Sequence, residues 1–68
     1  MLSSAAFERI LKHAGAKRVS AEAAEEFAKI MEDRLLQVAT EAVALAKHAG
    51  RKTVVASDIR LARKKFEA

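Results

Sequence analysis

Apolar residues recur at helical spacing along the chain, and the first set lies near its start. They are Ala6, Phe7, Ile10, Leu11 and Ala14. Steps of three and four residues place them on one face of an α-helix. Ser3 or Ser4 can act as the N-cap, and Gly15 follows where a left-handed residue often closes a helix. The pattern predicts a first helix over about residues 4–14.

A much longer helical pattern follows, because no Pro or Gly lies between Ser20 and Ala49. Ser20 is a favourable N-cap, and Glu22 and Glu25 lie where the macrodipole favours negative charge. We therefore predict a second helix over about residues 20–48. At 1.5 Å per residue it is about 40 Å long.

The third helical pattern covers about residues 56–66, after a second loop at 49–55, the first loop being 15–19. Ser57 and Asp58 open it, and Ile59, Ala62 and Phe66 follow at helical spacing. Val55 lacks a side-chain oxygen at the N-cap position, so this helix end should be weakly capped. The fold class predicted is all-α: short helix, loop, long helix, loop, short helix, in one domain spanning 1–68.

An octapeptide containing Gly occurs twice. Residues 12–19 read Lys-His-Ala-Gly-Ala-Lys-Arg-Val and residues 47–54 read Lys-His-Ala-Gly-Arg-Lys-Thr-Val, so six of eight positions match. Each copy indicates a helix end, a short extended piece and a new helix. A solenoid needs at least three stacked repeats, and this chain has room for two.

The apolar face of the long helix is too wide for one chain to cover. Its predicted contact residues are Phe27, Ile30, Met31, Leu35, Val38 and Ala42. Leu36 and Val43 widen the face to nearly half the circumference, whereas a surface helix needs an arc of about 100°. A monomeric three-helix bundle is the alternative, but bundles favour helices of matched length. We expect an obligate dimer in which the long helices cross.

Net charge points to an anionic partner. The chain carries +4, and residues 51–68 hold six basic against two acidic residues, whereas residues 1–50 hold seven of each. An acidic segment at 21–33, with five acidic residues and one basic, should repel polyanions.

Composition argues against several other classes. There is no Cys, and two isolated His residues cannot build a metal site. No apolar stretch reaches the roughly 20 residues of a membrane span, and the N-terminus lacks a signal-peptide core. No nucleophile set or Gly-rich phosphate loop occurs. We expect a cytoplasmic protein that is not an enzyme and uses no cofactor or metal.

Both loops resemble those of the histone family, specifically the small tailless archaeal histones. The segment 14–20 is similar to the family's first loop, and 48–54 followed by Asp58-Ile59 is similar to its second loop and third-helix start. The similarity extends from about Phe7 to Phe66. It implies a head-to-tail homodimer that wraps double-stranded DNA in the nucleoid.

The resemblance also implies roles for individual residues in DNA binding. Arg18 is expected to enter the minor groove, and Lys52 and Thr53 to contact phosphates from the second loop. Arg9 and Lys12 are expected to contact the DNA backbone from the first helix. Lys17 adds positive charge to the first loop.

Other matching residues are implied to be structural. Arg51 and Asp58 are expected to form an internal ion pair that holds the second loop against the third helix. Leu45 and His48, with Asp58, are expected where two dimers join into tetramers or longer stacks.

The chain departs from the archaeal pattern in four places, and other functions remain open. Its start lacks the usual Pro, and Arg34 lies at the margin of the apolar face, where it could pair with an acidic residue of the partner chain. Lys17 stands where many relatives are acidic, and Val55 stands where an N-cap residue with an oxygen is expected. A paralogous histone is a possible partner. One alternative is a histone-fold subunit of a transcription or centromere-type complex that acts by heterodimerisation. Sequence-specific regulation fits less well, because the chain has one Gln and no Asn for reading base edges.

Overall fold

A computed structural model describes residues 3–67 of the chain. Three helices occur in this range: α1 at Ser4–His13, α2 at Ala21–His48 and α3 at Ala56–Lys65. No strand occurs between residues 3 and 67. The predicted all-α class, with a long helix between two short ones, is confirmed.

Serine hydroxyls cap the first two helices. Ser3 Oγ accepts a hydrogen bond from the Ala5 N–H at 3.2 Å, and Ser20 Oγ accepts one from the Ala23 N–H at 3.0 Å. Each bond satisfies a backbone donor that has no partner inside its helix. Of the two candidate caps for α1, Ser3 therefore takes the role and Ser4 is the first helical residue.

The chain forms two compact units, and α2 continues from one into the other. Within residues 3–33, Phe7 and Phe27 pack edge to face with ring centroids 5.4 Å apart. Ala24 and Ala28 are buried in the same unit. Edge-to-face packing is a favoured aromatic geometry, so this pair anchors α1 to the N-terminal half of α2.

The second unit, residues 34–67, joins α3 to the C-terminal half of α2. Its buried apolar residues are Ala42, Ala46 and Ala62. An ion pair between Lys65 Nζ and Glu41 Oε2, 3.2 Å apart, links the two helices at the surface. Alanine methyl groups bury little apolar area, so they stabilise this unit only modestly.

The core of the protomer contains few large apolar side chains. Among the described residues no large side chain is fully buried, whereas Ile30, Leu35 and Leu36 of α2 are 53%, 49% and 64% exposed. Phe27, Met31 and Val38 are half-buried. Ala42 differs from the other predicted contact residues, because it has no exposed surface even in the single chain and so belongs to the protomer's own core.

Candidate nucleic-acid interface

Both loops begin with the same hydrogen-bonded turn. Gly15 and Gly50 have φ of +119° and +74°, and all other described residues have negative φ. Four backbone hydrogen bonds close the two turns: Gly15 N–H to Lys12 O at 3.0 Å, Ala16 N–H to Leu11 O at 3.1 Å, Gly50 N–H to Lys47 O at 2.9 Å and Arg51 N–H to Ala46 O at 2.9 Å. This is the Schellman motif. The repeated octapeptide thus gives a repeated backbone conformation.

Exposed cations and free backbone donors follow each turn. The side chains of Lys17, Arg18, Lys52 and Thr53 are exposed. Within residues 3–67, the backbone N–H groups of 17–19 and 52–54 donate no hydrogen bond to the protein. Backbone N–H groups and basic side chains are the donors that most often contact DNA phosphates. Each loop therefore offers both kinds of phosphate-binding group.

A bidentate ion pair fixes the second loop. Arg51 Nη1 donates to Asp58 Oδ2 and Arg51 Nη2 donates to Asp58 Oδ1, both at 2.8 Å. Arg51 Nη1 also donates to the Thr53 carbonyl at 3.0 Å. Planar, paired hydrogen bonds of this kind are short and directional. They hold the loop backbone against the start of α3 and leave Lys52 free to point outward.

Electrostatics in this cluster favours the charged form of both partners. Hydrogen bonds from Arg51, together with the Val55 N–H, lower the pKa of Asp58 from its ordinary 3.8 to about 2. The hydrogen bond to Asp58 raises the pKa of Arg51. The ion pair is therefore intact throughout the neutral range.

Asp58 has little surface left for another chain. It is 3% exposed, and both carboxylate oxygens are occupied. Of the three residues expected where dimers meet, Leu45 is half-buried and His48 is exposed. Leu45 and His48 therefore retain accessible surface near the C-terminal end of α2, whereas Asp58 retains almost none.

The two candidate DNA contacts on α1 differ in their surroundings. Arg9 is exposed and makes no ion pair within residues 3–67. Lys12 Nζ lies 3.3 Å from Glu8 Oε1, with both side chains about half exposed. Exposed pairs of this kind contribute little to stability. Lys12 can therefore exchange Glu8 for a phosphate at small cost.

The acidic residues that form an ion pair lie in different parts of the chain from those that do not. Four acidic residues of the described range are paired: Glu8, Glu41, Asp58 and Glu67. The five without an ion pair in that range are Glu22, Glu25, Glu26, Glu32 and Asp33, all within the acidic segment of α2. Neither loop contains an acidic residue. An anionic ligand therefore meets only cations there.

One structural feature was not anticipated from the sequence. The cap of α3 is supplied by Asp58, whose Oδ2 accepts a hydrogen bond from the Val55 N–H at 2.9 Å. Val55 contributes no side-chain hydrogen bond, as expected from its apolar side chain. The signal was present, because an acidic residue at the third helical position commonly bonds back to the N-cap N–H.

No helix of the described range is long and apolar enough to cross a membrane, and residues 3–67 contain no cluster of potential metal ligands.

Comparison with known proteins identifies the family. The profile of the family described as histone-like transcription factor (CBF/NF-Y) and archaeal histone matches residues 1–62. A subunit of the archaeal histone HAN1 of Thermococcus zilligii is 46% identical over 61 residues, covering 90% of this chain and 91% of that protein. Probable archaeal histone 3 of Methanocaldococcus jannaschii is 52% identical over 54 residues, covering 79% and 81%. With its short, long and short helices and its two matching loops, this chain belongs to the family of histone-like transcription factors (CBF/NF-Y) and archaeal histones.

Proposed function

We propose that this protein packages double-stranded DNA, largely without sequence specificity, as a homodimer associated with the chromosome. The observation that carries the proposal is the composition of the two loops. Each combines exposed cations, at Lys17 and Arg18 or at Lys52, with backbone N–H groups that have no partner in the described chain. The relatives' names support it, since both are termed archaeal histones.

Exposed apolar surface on α2 supports the homodimer. Ile30 and Leu35 are about half exposed in the single chain. When several large apolar side chains of one helix stay this exposed on a small protein, they often mark an interface. A domain of 68 residues is also marginally stable by itself, and the chain has no disulfide to compensate.

Each basic residue then has a distinct part in binding DNA. Arg18 enters the minor groove, where a guanidinium is favoured by the negative potential of a narrowed groove. Lys17 and Lys52 neutralise phosphates, and Thr53 donates its N–H and hydroxyl. Arg9 and Lys12 contact the backbone from α1.

Dimers further associate through Leu45 and His48 into tetramers or longer stacks on DNA. Leu45 supplies apolar surface, and His48 is exposed at the end of α2. Heterodimers with a paralogous histone use the same α2 surface.

Salt dependence tests the DNA-binding proposal. If each dimer engages about 6–10 phosphates, the binding constant for random-sequence duplexes should fall by about 10³–10⁵ between 50 and 200 mM salt. Fluorescence anisotropy at several salt concentrations measures this slope. A binding constant independent of salt would remove DNA packaging as the function.

Nuclease protection distinguishes the forms of the complex. Micrococcal nuclease digestion should leave a ladder of discrete fragments if dimers stack, or one protected length if a closed particle forms. Complete digestion at saturating protein would favour the alternative, a histone-fold subunit that acts through a different protein partner.

A further inference from the structure

The outer face of α3 carries cations that do not belong to the loop surface, by which we mean the exposed loop residues proposed to bind DNA: Lys17, Arg18, Lys52 and Thr53. Arg60 and Lys64, which we call the α3 stripe, lie one helical turn apart and are both exposed. At about 100° per residue, Arg60 lies opposite Asp58 and Ala62, the two buried residues of α3. The α3 stripe therefore points away from the packed face of the helix.

Nearby carboxylates are already engaged by other cations. Asp58 is bound by Arg51, Glu67 Oε1 lies 3.0 Å from Arg63 Nε, and Glu41 is bound by Lys65. Neither residue of the α3 stripe makes an ion pair within residues 3–67. The stripe is therefore a local excess of positive charge without a counter-charge in the described protein.

Helix stabilisation does not account for both cations. The macrodipole favours basic residues in the last turn, which contains Arg63, Lys64 and Lys65. Arg60 lies a turn earlier, where this effect has faded. Like charges four residues apart also repel each other on a helix. Arg60 thus lowers the stability of α3 slightly unless an anion binds there.

We infer that the α3 stripe is a second DNA-binding surface, which lets one protein dimer hold a second duplex beside the one bound at its loops. The inference rests on the proposed function for the ligand and the dimer. Arg60 and Lys64 are about 6 Å apart along the helix axis, and each DNA strand presents a phosphate every 3.4 Å or so. Both side chains can therefore reach phosphates of one strand.

The α3 stripe and the second loop lie at different places along the axis of α3. Lys52 and Thr53 precede the N-terminus of α3, whereas Lys64 lies eight residues beyond Ala56, about 12 Å along the axis. The stripe also faces away from the side of α3 that packs in its unit. Arg60 lies about 6 Å along the axis from Ala56, so it is the direction in which the stripe faces, more than its distance from the second loop, that favours a second duplex or a distant segment of the same one.

Capture of a second duplex tests the inference. A biotinylated duplex on streptavidin beads is loaded with protein, and recovery of a fluorescent duplex is measured from 50 to 200 mM salt. We expect wild-type protein to recover the second duplex and Arg60→Gln/Lys64→Gln to recover about tenfold less at 100 mM salt. Its salt slope should be shallower by about 1.8, the value expected when two phosphates are no longer neutralised.

Two variants control for charge and folding. Lys29→Gln/Lys47→Gln removes the same charge from exposed positions of α2 and should capture like wild type. Arg60→Lys/Lys64→Arg retains the cations and should also capture like wild type. Glutamine is a good helix former, so circular dichroism should show α3 unchanged in the Gln variant.

Three results would overturn the inference: no second-duplex capture by wild-type protein, unchanged capture by Arg60→Gln/Lys64→Gln, or equal loss in the Lys29→Gln/Lys47→Gln control. Anisotropy with one duplex is measured in parallel. If the stripe variant loses as much single-duplex affinity as capture, the stripe lies on the first duplex's path and the inference is also wrong. Failure of wild-type protein to bind one duplex would instead contradict the proposed function.

Discussion

At the scale of single residues, Asp58 has the largest structural role of any charged side chain described. It binds the Arg51 guanidinium with both oxygens and accepts a hydrogen bond from the Val55 N–H. One carboxylate therefore fixes the second loop and caps α3.

Asp58→Asn should lower the thermal midpoint by several degrees at neutral pH, because the bidentate pair and its charge are removed. The pKa of Asp58 is about 2 in the folded chain and 3.8 ordinarily, so the unfolded state binds more protons between these values. Stability from Asp58 is fully present above about pH 5, and it is lost as pH falls toward 2.

Thermal unfolding of wild type and Asp58→Asn between pH 2 and 6 measures this effect. The difference between their midpoints should shrink steadily below about pH 4. Asp33→Asn, at an exposed carboxylate without an ion pair in the described range, is the control and should show no comparable difference. A midpoint difference independent of pH would assign the effect to poorer packing.

Arg18→Ala should weaken DNA compaction and leave the protein otherwise intact. Arg18 is exposed and forms no ion pair within residues 3–67, so the expected stability change is within about 0.5 kcal/mol. The salt slope of DNA binding should fall by about 0.9 for each phosphate that the variant no longer neutralises. Tethered-DNA extension measures compaction, and Lys29→Ala is the control. Dissociation of the dimer in Arg18→Ala would show that this residue lies in the protein interface.

Residue-scale features were predictable from the sequence only where they are local. Both Gly positions and the Ser20 cap follow from neighbouring residues and are observed. The ion pair between Glu41 and Lys65 joins positions 24 residues apart. Such a pair depends on how α3 packs against α2, and helical periodicity does not fix that packing.

At the scale of helices, α2 depends on a well-formed N-terminus. Its first turn follows Ser20, and the Ala23 N–H donates to the Ser20 hydroxyl. Ser20→Ala leaves that donor to water and should cost about 1 kcal/mol of unfolding free energy.

Urea denaturation at fixed protein concentration measures the cost, because the stability of an oligomer depends on concentration. Ser57→Ala is the matched control, since Ser57 is exposed and makes no side-chain hydrogen bond in the described range. Equal destabilisation by both changes would show that the hydroxyl of Ser20 does not act as a cap.

The sequence also predicts which face of α2 is apolar. It does not predict which residues of that face are buried within the protomer and which stay exposed. Periodicity places Ala42 and Ile30 among the same contact residues. In the structure Ala42 is fully buried, whereas Ile30 is 53% exposed. The division depends on which side of α2 the short helices cover, and this is a property of tertiary packing.

At the scale of the whole molecule, family membership confirms the predicted histone fold and the expectation that the chain is not an enzyme. Two copies of one turn motif and the uninterrupted middle helix made the fold recognisable. The oligomeric state depends on contacts with a second chain, and helical periodicity within one chain does not fix those contacts.

Ile30→Glu should disrupt the homodimer while costing little in an isolated protomer, where this side chain is already half exposed. Burying an unpaired carboxylate at a protein interface is strongly unfavourable, so we expect the dimer dissociation constant to rise by about 100-fold or more. Sedimentation equilibrium measures it. Thr40→Glu is the control, because Thr40 is an exposed polar residue of α2 about 80° away around the helix and is not among the predicted contact residues. Equal dissociation by both changes, or a folded wild-type monomer at micromolar concentration, would contradict the proposed interface.

Main-chain hydrogen bonds alone close the chain reversals at Gly15 and Gly50. The side chains that follow them, at positions 16–18 and 52, therefore do not help to form the turns. Natural variation can alter these positions, and with them the grip on a ligand, without refolding the scaffold. Ligand affinity and folding stability can thus evolve almost independently in this protein.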